Sequence, residues 1–258
     1  MTLIDVTPLE AALGPGRLAD GGLGLVFEGP TEVVEGQTTP YLDGVLQDPA
    51  LREAFFSLVD EHGLIVCRHL AIDPAPYRAV GGKRSQCRMS QGEFYHHDGC
   101  STPTKPRIVE IRCPPQHVVR TMATSIARFH DVVSAMLLEL SPALRRSGGL
   151  EDHAAAVARG GSPSAPWDQV QGIVNRVIRQ LPAEEGRAYF QRVDLRAGAF
   201  FEPWTLGESR FMANSNPHAT VQHRRACHPP WRPGTPNGGL LKRWPNEELP
   251  DSHPASPA

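Results

Sequence analysis

Apolar residues recur at helical spacing over three stretches of the chain. Leu51, Phe55, Leu58 and Val59 make one face of a helix that Asp48 caps, Pro49 opens and Gly63 ends. Ile126, Phe129, Val133, Met136, Leu137 and Leu140 predict a second helix from about Thr124 to Leu140, closed by Pro142. Trp167, Val170, Val174, Val177, Ile178 and Leu181 predict a third, core-facing helix that stops at Pro182. Shorter apolar runs predict strands: a buried one at Leu64 to Cys67, then residues 189–195, 198–204, 210–213 and 239–244.

Between these elements the pattern fades. Residues 1–47 are rich in Gly and Pro and are predicted to be a loose N-terminal arm with one or two edge strands, one of them at Leu23 to Phe27. Residues 81–92 have no period and predict a mobile loop. Residues 145–165 fit either a flexible lid or a surface connection, and the Pro-, Glu-, Ser- and Ala-rich stretch 245–258 is predicted to be disordered.

Composition adjusts this picture. With 25 Pro and 24 Gly the chain has many turns, which favours β-rich architecture over a helical bundle. Its 258 residues suffice for one large domain with a substantial core, expected over residues 1–244, and two domains are possible but not required. A formal charge of −2 offers no basic surface for nucleic acid. There is no apolar run long enough for a membrane span and no charged-then-apolar leader, so a cytoplasmic protein is expected. Cys67, Cys87, Cys100, Cys113 and Cys227 are odd in number and lack a CxxC pair, which argues for reduced thiols over disulfides or structural zinc. Nothing in the pattern selects an oligomeric state.

The candidate chemistry starts at His96-x-Asp98. Residues two apart on a strand share a face, so an imidazole and a carboxylate project together. With one more His they would complete the two-His, one-carboxylate set of non-heme Fe(II) oxygenases. By itself the pair also fits a polar strand end. Its context is Tyr95, His96, Asp98, Pro106, the apolar run Ile108 to Ile111 and Pro114. This resembles the iron-binding strand of the taurine dioxygenase and clavaminate synthase group of Fe(II)/2-oxoglutarate-dependent oxygenases. Downstream, Thr220-Val-Gln-His-Arg224 resembles the second iron-binding strand of such enzymes and singles out His223. His218, beside Pro217, is the alternative. A separation of 127 residues (223 − 96) makes sense if the two strands meet across a barrel. His97 alternates to the opposite face and reads as packing, or as support for the ligands.

The resemblance implies a mainly β fold with flanking helices, a double-stranded β-helix of the jelly-roll kind. It implies Fe(II) held by His96, Asp98 and His223, with 2-oxoglutarate and O2 as co-substrates. Thr121 corresponds to a Thr that binds a 2-oxoglutarate carboxylate oxygen; a Thr capping a turn is its other reading. The far carboxylate calls for an Arg on a strand beside the one bearing His223. Arg243 lies in a Pro-free, apolar-flanked segment and is the candidate, with Arg232 behind it and Arg224 and Arg225 set aside. The implied reaction is hydroxylation, ring closure or desaturation of a small polar metabolite, of the kind met in natural-product and antibiotic biosynthesis. Glu93, Glu202, Arg84 and Arg88 could meet a charged substrate or simply be solvated. A cupin-like binding protein or a metal-dependent isomerase would use the same ligands without 2-oxoglutarate.

Overall fold

The computed structural model describes residues 7–19, 22–29, 41–68, 78–80, 89, 91–98, 105–113, 122–202, 208–215, 219–227, 239–244 and 246–249. From the N-terminus come helix α1 (Thr7–Leu13), strands β1 (Gly16–Leu18) and β2 (Leu25–Phe27), and helices α2 (Tyr41–Gln47) and α3 (Pro49–His62). The expected arm is therefore built into the protein: β1 and β2 join a sheet, and Leu9, Leu13, Leu42 and Val45 are buried in the core. Helix α3 has the predicted ends. The Asp48 carboxylate accepts from the N–H groups of Ala50 (2.9 Å) and Leu51 (3.1 Å), and Gly63 terminates the helix at φ 80°.

Strands β3 (Leu64–Cys67), β4 (Arg78–Val80), β5 (Ile108–Cys113), β6 (Met122–Arg128), β7 (Glu208–Ala213), β8 (Val221–Cys227) and β9 (Gly239–Trp244) follow. Between β6 and β7 lie α4 (Phe129–Glu139), α5 (Pro142–Gly148), α6 (Glu151–Ala158), α7 (Trp167–Ile178) and α8 (Ala183–Arg196). A seven-stranded sheet runs β1-β2-β3-β7-β5-β9-β4, parallel only at β2/β3, and β6 and β8 pair separately. Two single bridges widen the small sheet to His96 on one side, opposite His223, and to Phe200 on the other, opposite Ile126.

Several predicted elements change. The helix expected from Thr124 starts at Phe129, because Thr124, Ser125 and Ile126 belong to β6, which pairs with β8 over its whole length. The strand expected at 189–195 is part of α8: Ala183, Gly186, Tyr189, Phe190 and Val193 are buried at three- and four-residue spacing. Residues 145–165 hold most of α5 and all of α6 in place of a lid. The expected strand at 198–204 reduces, among its described residues, to the Phe200 bridge. Asn246–Glu248 form a 3-10 turn and Leu249 is buried, so order extends into the segment expected to be disordered. The predicted loop at 81–92 and the tail from residue 250 lie outside the described residues, apart from Met89, Gln91 and Gly92. With eight α-helices among the described residues the fold is a mixed helix and sheet protein and not a mainly β one.

Three apolar clusters hold the layers. Phe55, Phe56, Phe211 and Trp244 centre the cluster between α1–α3 and the large sheet, with Phe55 and Phe211 edge-on at 4.8 Å. Val66, Val109 and Met212 of the large sheet meet Ile126 and Val221 of the small one. The third cluster joins α4–α8 to Phe94 and Tyr95 and covers the other face of the small sheet. No described helix is long and apolar enough to cross a membrane.

Candidate metal centre

The sequence folds so that the distant segments meet by backbone pairing. His96 N–H donates to the carbonyl of His223 at 3.1 Å and His223 N–H returns a bond to His96 at 3.2 Å. Their rings stand 4.5 Å apart, and one nitrogen or oxygen from each of His96, Asp98 and His223 lies within 4.8 Å of the others. His223 Nε2 is 3.6 Å from Asp98 Oδ2. His223 is buried and the other two are partly so. His96 Nδ1 is 2.8 Å from the Phe94 carbonyl, which can only accept; Nδ1 thus carries the proton and the Nε2 lone pair is left for a metal.

Asn214, at the end of the segment after β7, fixes Asp98. Its Oδ1 accepts from Asp98 N–H (2.8 Å), and its Nδ2 donates to the carbonyls of Asp98 (3.0 Å) and Pro106 (2.8 Å). A buried Asn with both ends of its amide used holds the turn that aims the carboxylate. Sequence reasoning passed over it; an Asn at a strand end, 116 residues from its partner, carries no local pattern.

The residues flanking the two imidazoles form a second set. Tyr95 and Arg224 both reach the Asp194 carboxylate of α8. The Tyr95 hydroxyl donates to Oδ1 at 2.7 Å, Arg224 Nε donates to Oδ1 at 2.9 Å, and Arg224 Nη2 pairs with Oδ2. Ser125 of β6 adds a third donor at 2.8 Å. On the other flank, Gln222 exchanges amide bonds with Gln171 of α7 (2.6 and 2.9 Å) and lies 3.3 Å from His97 Nδ1. His97 packs edge-on to Phe129 at 5.3 Å. Burial, with smaller contributions from Lys105 and His96, lowers its pKa from 6.5 to about 4, so it is a neutral ring at physiological pH. Burial pulls the Arg224 guanidinium down, but the Asp194 charge and hydrogen bond more than offset this and its pKa is raised.

Of the expected co-substrate residues, Arg243 is exposed on β9. It pairs across from Val109, whose side chain lies in the cluster between the sheets, so Arg243 shares the sheet face turned toward β6 and β8. The expectation that its strand pairs beside the one bearing His223 is not met: β9 lies between β5 and β4, and β8 pairs with β6. Sheet layering, which sequence does not encode locally, places the two strands in opposite sheets. Thr121, Arg232, Arg84, Arg88 and the alternative ligand His218 lie outside the described residues. Thr124 faces inward on β6, two residues from the Ile126 that pairs with His223, a position hidden when that segment is read as a helix. Glu93 and Glu202 are committed within the protein, Glu93 to Arg187 at 2.6 Å and Glu202 to Arg68.

No family model and no curated protein matches the chain. Among solved structures it is similar to AAD-2 in complex with Mn(II) and N-oxalylglycine, at 12% identity and a TM-score of 0.44, over 88% of this chain and 95% of that one. It is also similar to PvcB, an Fe, alpha-ketoglutarate dependent oxygenase from an isonitrile synthetic pathway (14%, TM-score 0.43, 88% of each chain). A third is a taurine dioxygenase from Burkholderia xenovorans (10%, TM-score 0.42, 88% of each chain).

Proposed function

We propose that the protein is a non-heme Fe(II)- and 2-oxoglutarate-dependent oxygenase acting on a small polar metabolite. The observation that carries the reading is the convergence of His96, Asp98 and His223, two imidazoles and one carboxylate, within 4.8 Å. The donor set fits the metal: the bond from His96 Nδ1 to Phe94 leaves a single imidazole nitrogen to bind, and Asn214 holds the backbone that presents Asp98. Bound iron would supply the activation of O2, coupled to decarboxylation of 2-oxoglutarate and oxidation of the substrate. The chain's own part would be to hold the ion through His96, Asp98 and His223, with 2-oxoglutarate and O2 as its co-substrates. We read the two sheets as the halves of a jelly roll, supported by the apolar cluster they share. Arg243, on the face turned toward the small sheet, is the proposed anchor for the far carboxylate of 2-oxoglutarate, and Thr121 the proposed contact for a carboxylate oxygen.

Anaerobic addition of Fe(II) and 2-oxoglutarate should give the weak visible absorption of the chelate in the wild type. His96→Ala, Asp98→Ala and His223→Ala should each lose it, and His97→Ala should keep it. Metal uptake with no absorption change on adding 2-oxoglutarate would replace the oxygenase by a cupin-like metal protein or isomerase. Arg243→Ala should raise the 2-oxoglutarate concentration needed for half-maximal succinate formation by roughly 30-fold, the equivalent of about 2 kcal/mol, for a charge pair that becomes desolvated when 2-oxoglutarate covers the exposed Arg243. An unchanged half-saturation would move the anchor elsewhere.

A further inference from the structure

The four residues that flank the two imidazoles, Tyr95 and His97 around His96, Gln222 and Arg224 around His223, are hydrogen-bonded or packed in the helical layer away from the ligands. Tyr95 and Arg224 share one acceptor. We propose that Asp194, on helix α8, is a positioning residue that sets the spacing of His96 and His223 by holding the neighbour of each. The proposal rests on the metal-centre reading above and extends it to a residue with no contact to the ligands themselves.

The argument is geometric. Along a strand, adjacent residues point to opposite faces, so a side chain fixed on one face fixes where its neighbour points on the other. Arg224 points to the helical layer and His223 away from it, and Tyr95 stands in the same relation to His96. The Asp194 carboxylate accepts two bonds from Arg224, one from Tyr95 and one from Ser125, and in register Ser125 lies opposite Arg224 on the neighbouring strand. A single group therefore ties β6, β8 and the His96 segment to one helix. Tyr95, Ser125 and Arg224 are nearly inaccessible to solvent, at 1%, 0% and 3% exposure, so their donors have no water to fall back on. The guanidinium also stacks over the rings of Tyr95 (5.7 Å) and Phe190 (5.3 Å), which leaves it one orientation. Apolar packing constrains β8 through shape, and the two-bond Arg and carboxylate pair adds a directional constraint on where Arg224 sits.

The test separates positioning from stability. Two variants are compared with wild type and His223→Ala for Mn(II) affinity, read from the free-ion electron paramagnetic resonance signal, and for thermal midpoint. Asp194→Asn keeps shape and an acceptor for Tyr95 but faces Arg224 with an uncharged amide. The double variant Asp194→Leu/Arg224→Met removes both charges and fills their space with apolar groups, which restores stability when a buried pair is replaced whole. Expected are at least tenfold weaker Mn(II) binding in both variants, a lowered thermal midpoint in Asp194→Asn, and a midpoint near wild type in the double variant. The Co(II) absorption spectrum of the double variant should shift in band position, which a purely structural role would not cause. If the double variant, or a folded Asp194→Asn, binds Mn(II) within threefold of wild type, the proposal falls. It falls as well if both variants unfold, since Asp194 is then a stability element. Should wild type bind Mn(II) no better than His223→Ala, the metal centre fails and the proposal with it.

Discussion

The large sheet and the small sheet are each covered by helices on the face turned away from the other sheet, and the two covers differ in chemistry. Under α1–α3, the large sheet presents Ile65, Ile108, Phe211 and Trp244 to Phe55, Phe56 and Leu58, an apolar and aromatic contact, while the buried polar side chains of that face, Glu110, Arg112 and Ser209, bond to one another and to Trp244 within the sheet. Under α4–α8, the small sheet presents Ser125, Gln222 and Arg224, which are bonded to Asp194 and Gln171. The free energy of burying apolar area is non-directional. Buried hydrogen bonds are met in one register only, and missing one is costly. The polar cover lies over the strands that bring the two imidazoles together, and the apolar cover over strands that carry none of the three candidate donors.

This contrast can be broken experimentally from either side. The largest effect belongs to the apolar cover: Phe211→Ala should destabilise the protein by about 3–5 kcal/mol in denaturant titration, yet leave Mn(II) affinity of the folded fraction unchanged. A matching loss of affinity would mean the two covers are not separable.

Acid should attack the polar cover. His97 has its folded pKa depressed to about 4 against 6.5 in the unfolded chain, so below pH 6.5 the unfolded state binds the extra proton. Stability is therefore complete above pH 6.5 and falls as pH is lowered toward 4, by at most about 3 kcal/mol. The difference in thermal midpoint between wild type and His97→Gln, followed from pH 7 to 4.5 in metal-free protein, isolates this contribution, and a constant difference would contradict it.

Gln171→Leu strands the Gln222 amide and should cost about 1–3 kcal/mol, with a measurable loss of Mn(II) affinity that an equally destabilising change in the apolar cover does not produce. The smallest effect is on the outside of the helical layer. Arg196 and Arg192 hold the Glu139 pKa down, chiefly by hydrogen bonds, but both Arg side chains are about half exposed. Glu139→Gln should change stability by less than about 1 kcal/mol and affinity not at all.

The same contrast explains what was legible in the sequence. Helix α3 has its signals within a few residues, a cap, a Pro, a stripe and a Gly, and was predicted with its boundaries. Strand β6 runs directly into α4, and Ile126 falls at a spacing that extends the helical stripe backward. Its identity as a strand depends on β8, about a hundred residues away. Helix α8 was misread because Tyr189, Phe190 and Val193 also suit a strand, and the burial of Ala183 and Gly186 that reveals its face leaves little trace in hydropathy. The three candidate ligands were legible because their local motifs resemble known ones. Asn214, Gln171 and Asp194 were not, since each is an ordinary polar residue whose partner is set by tertiary structure.

The bridge between His96 and His223 also has a consequence in time. The ribosome delivers the first imidazole 127 residues (223 − 96) before the second, an interval of about 6–25 s at common elongation rates. Until β8 emerges and pairs, His96 and Asp98 offer an ion only two donors, with neither Asn214 nor the Arg224 and Asp194 pair yet in place to hold them. The nascent chain is thus a poor chelator through most of its synthesis. On the proposed reading, discrimination among divalent ions falls to the finished fold, where the three donors meet.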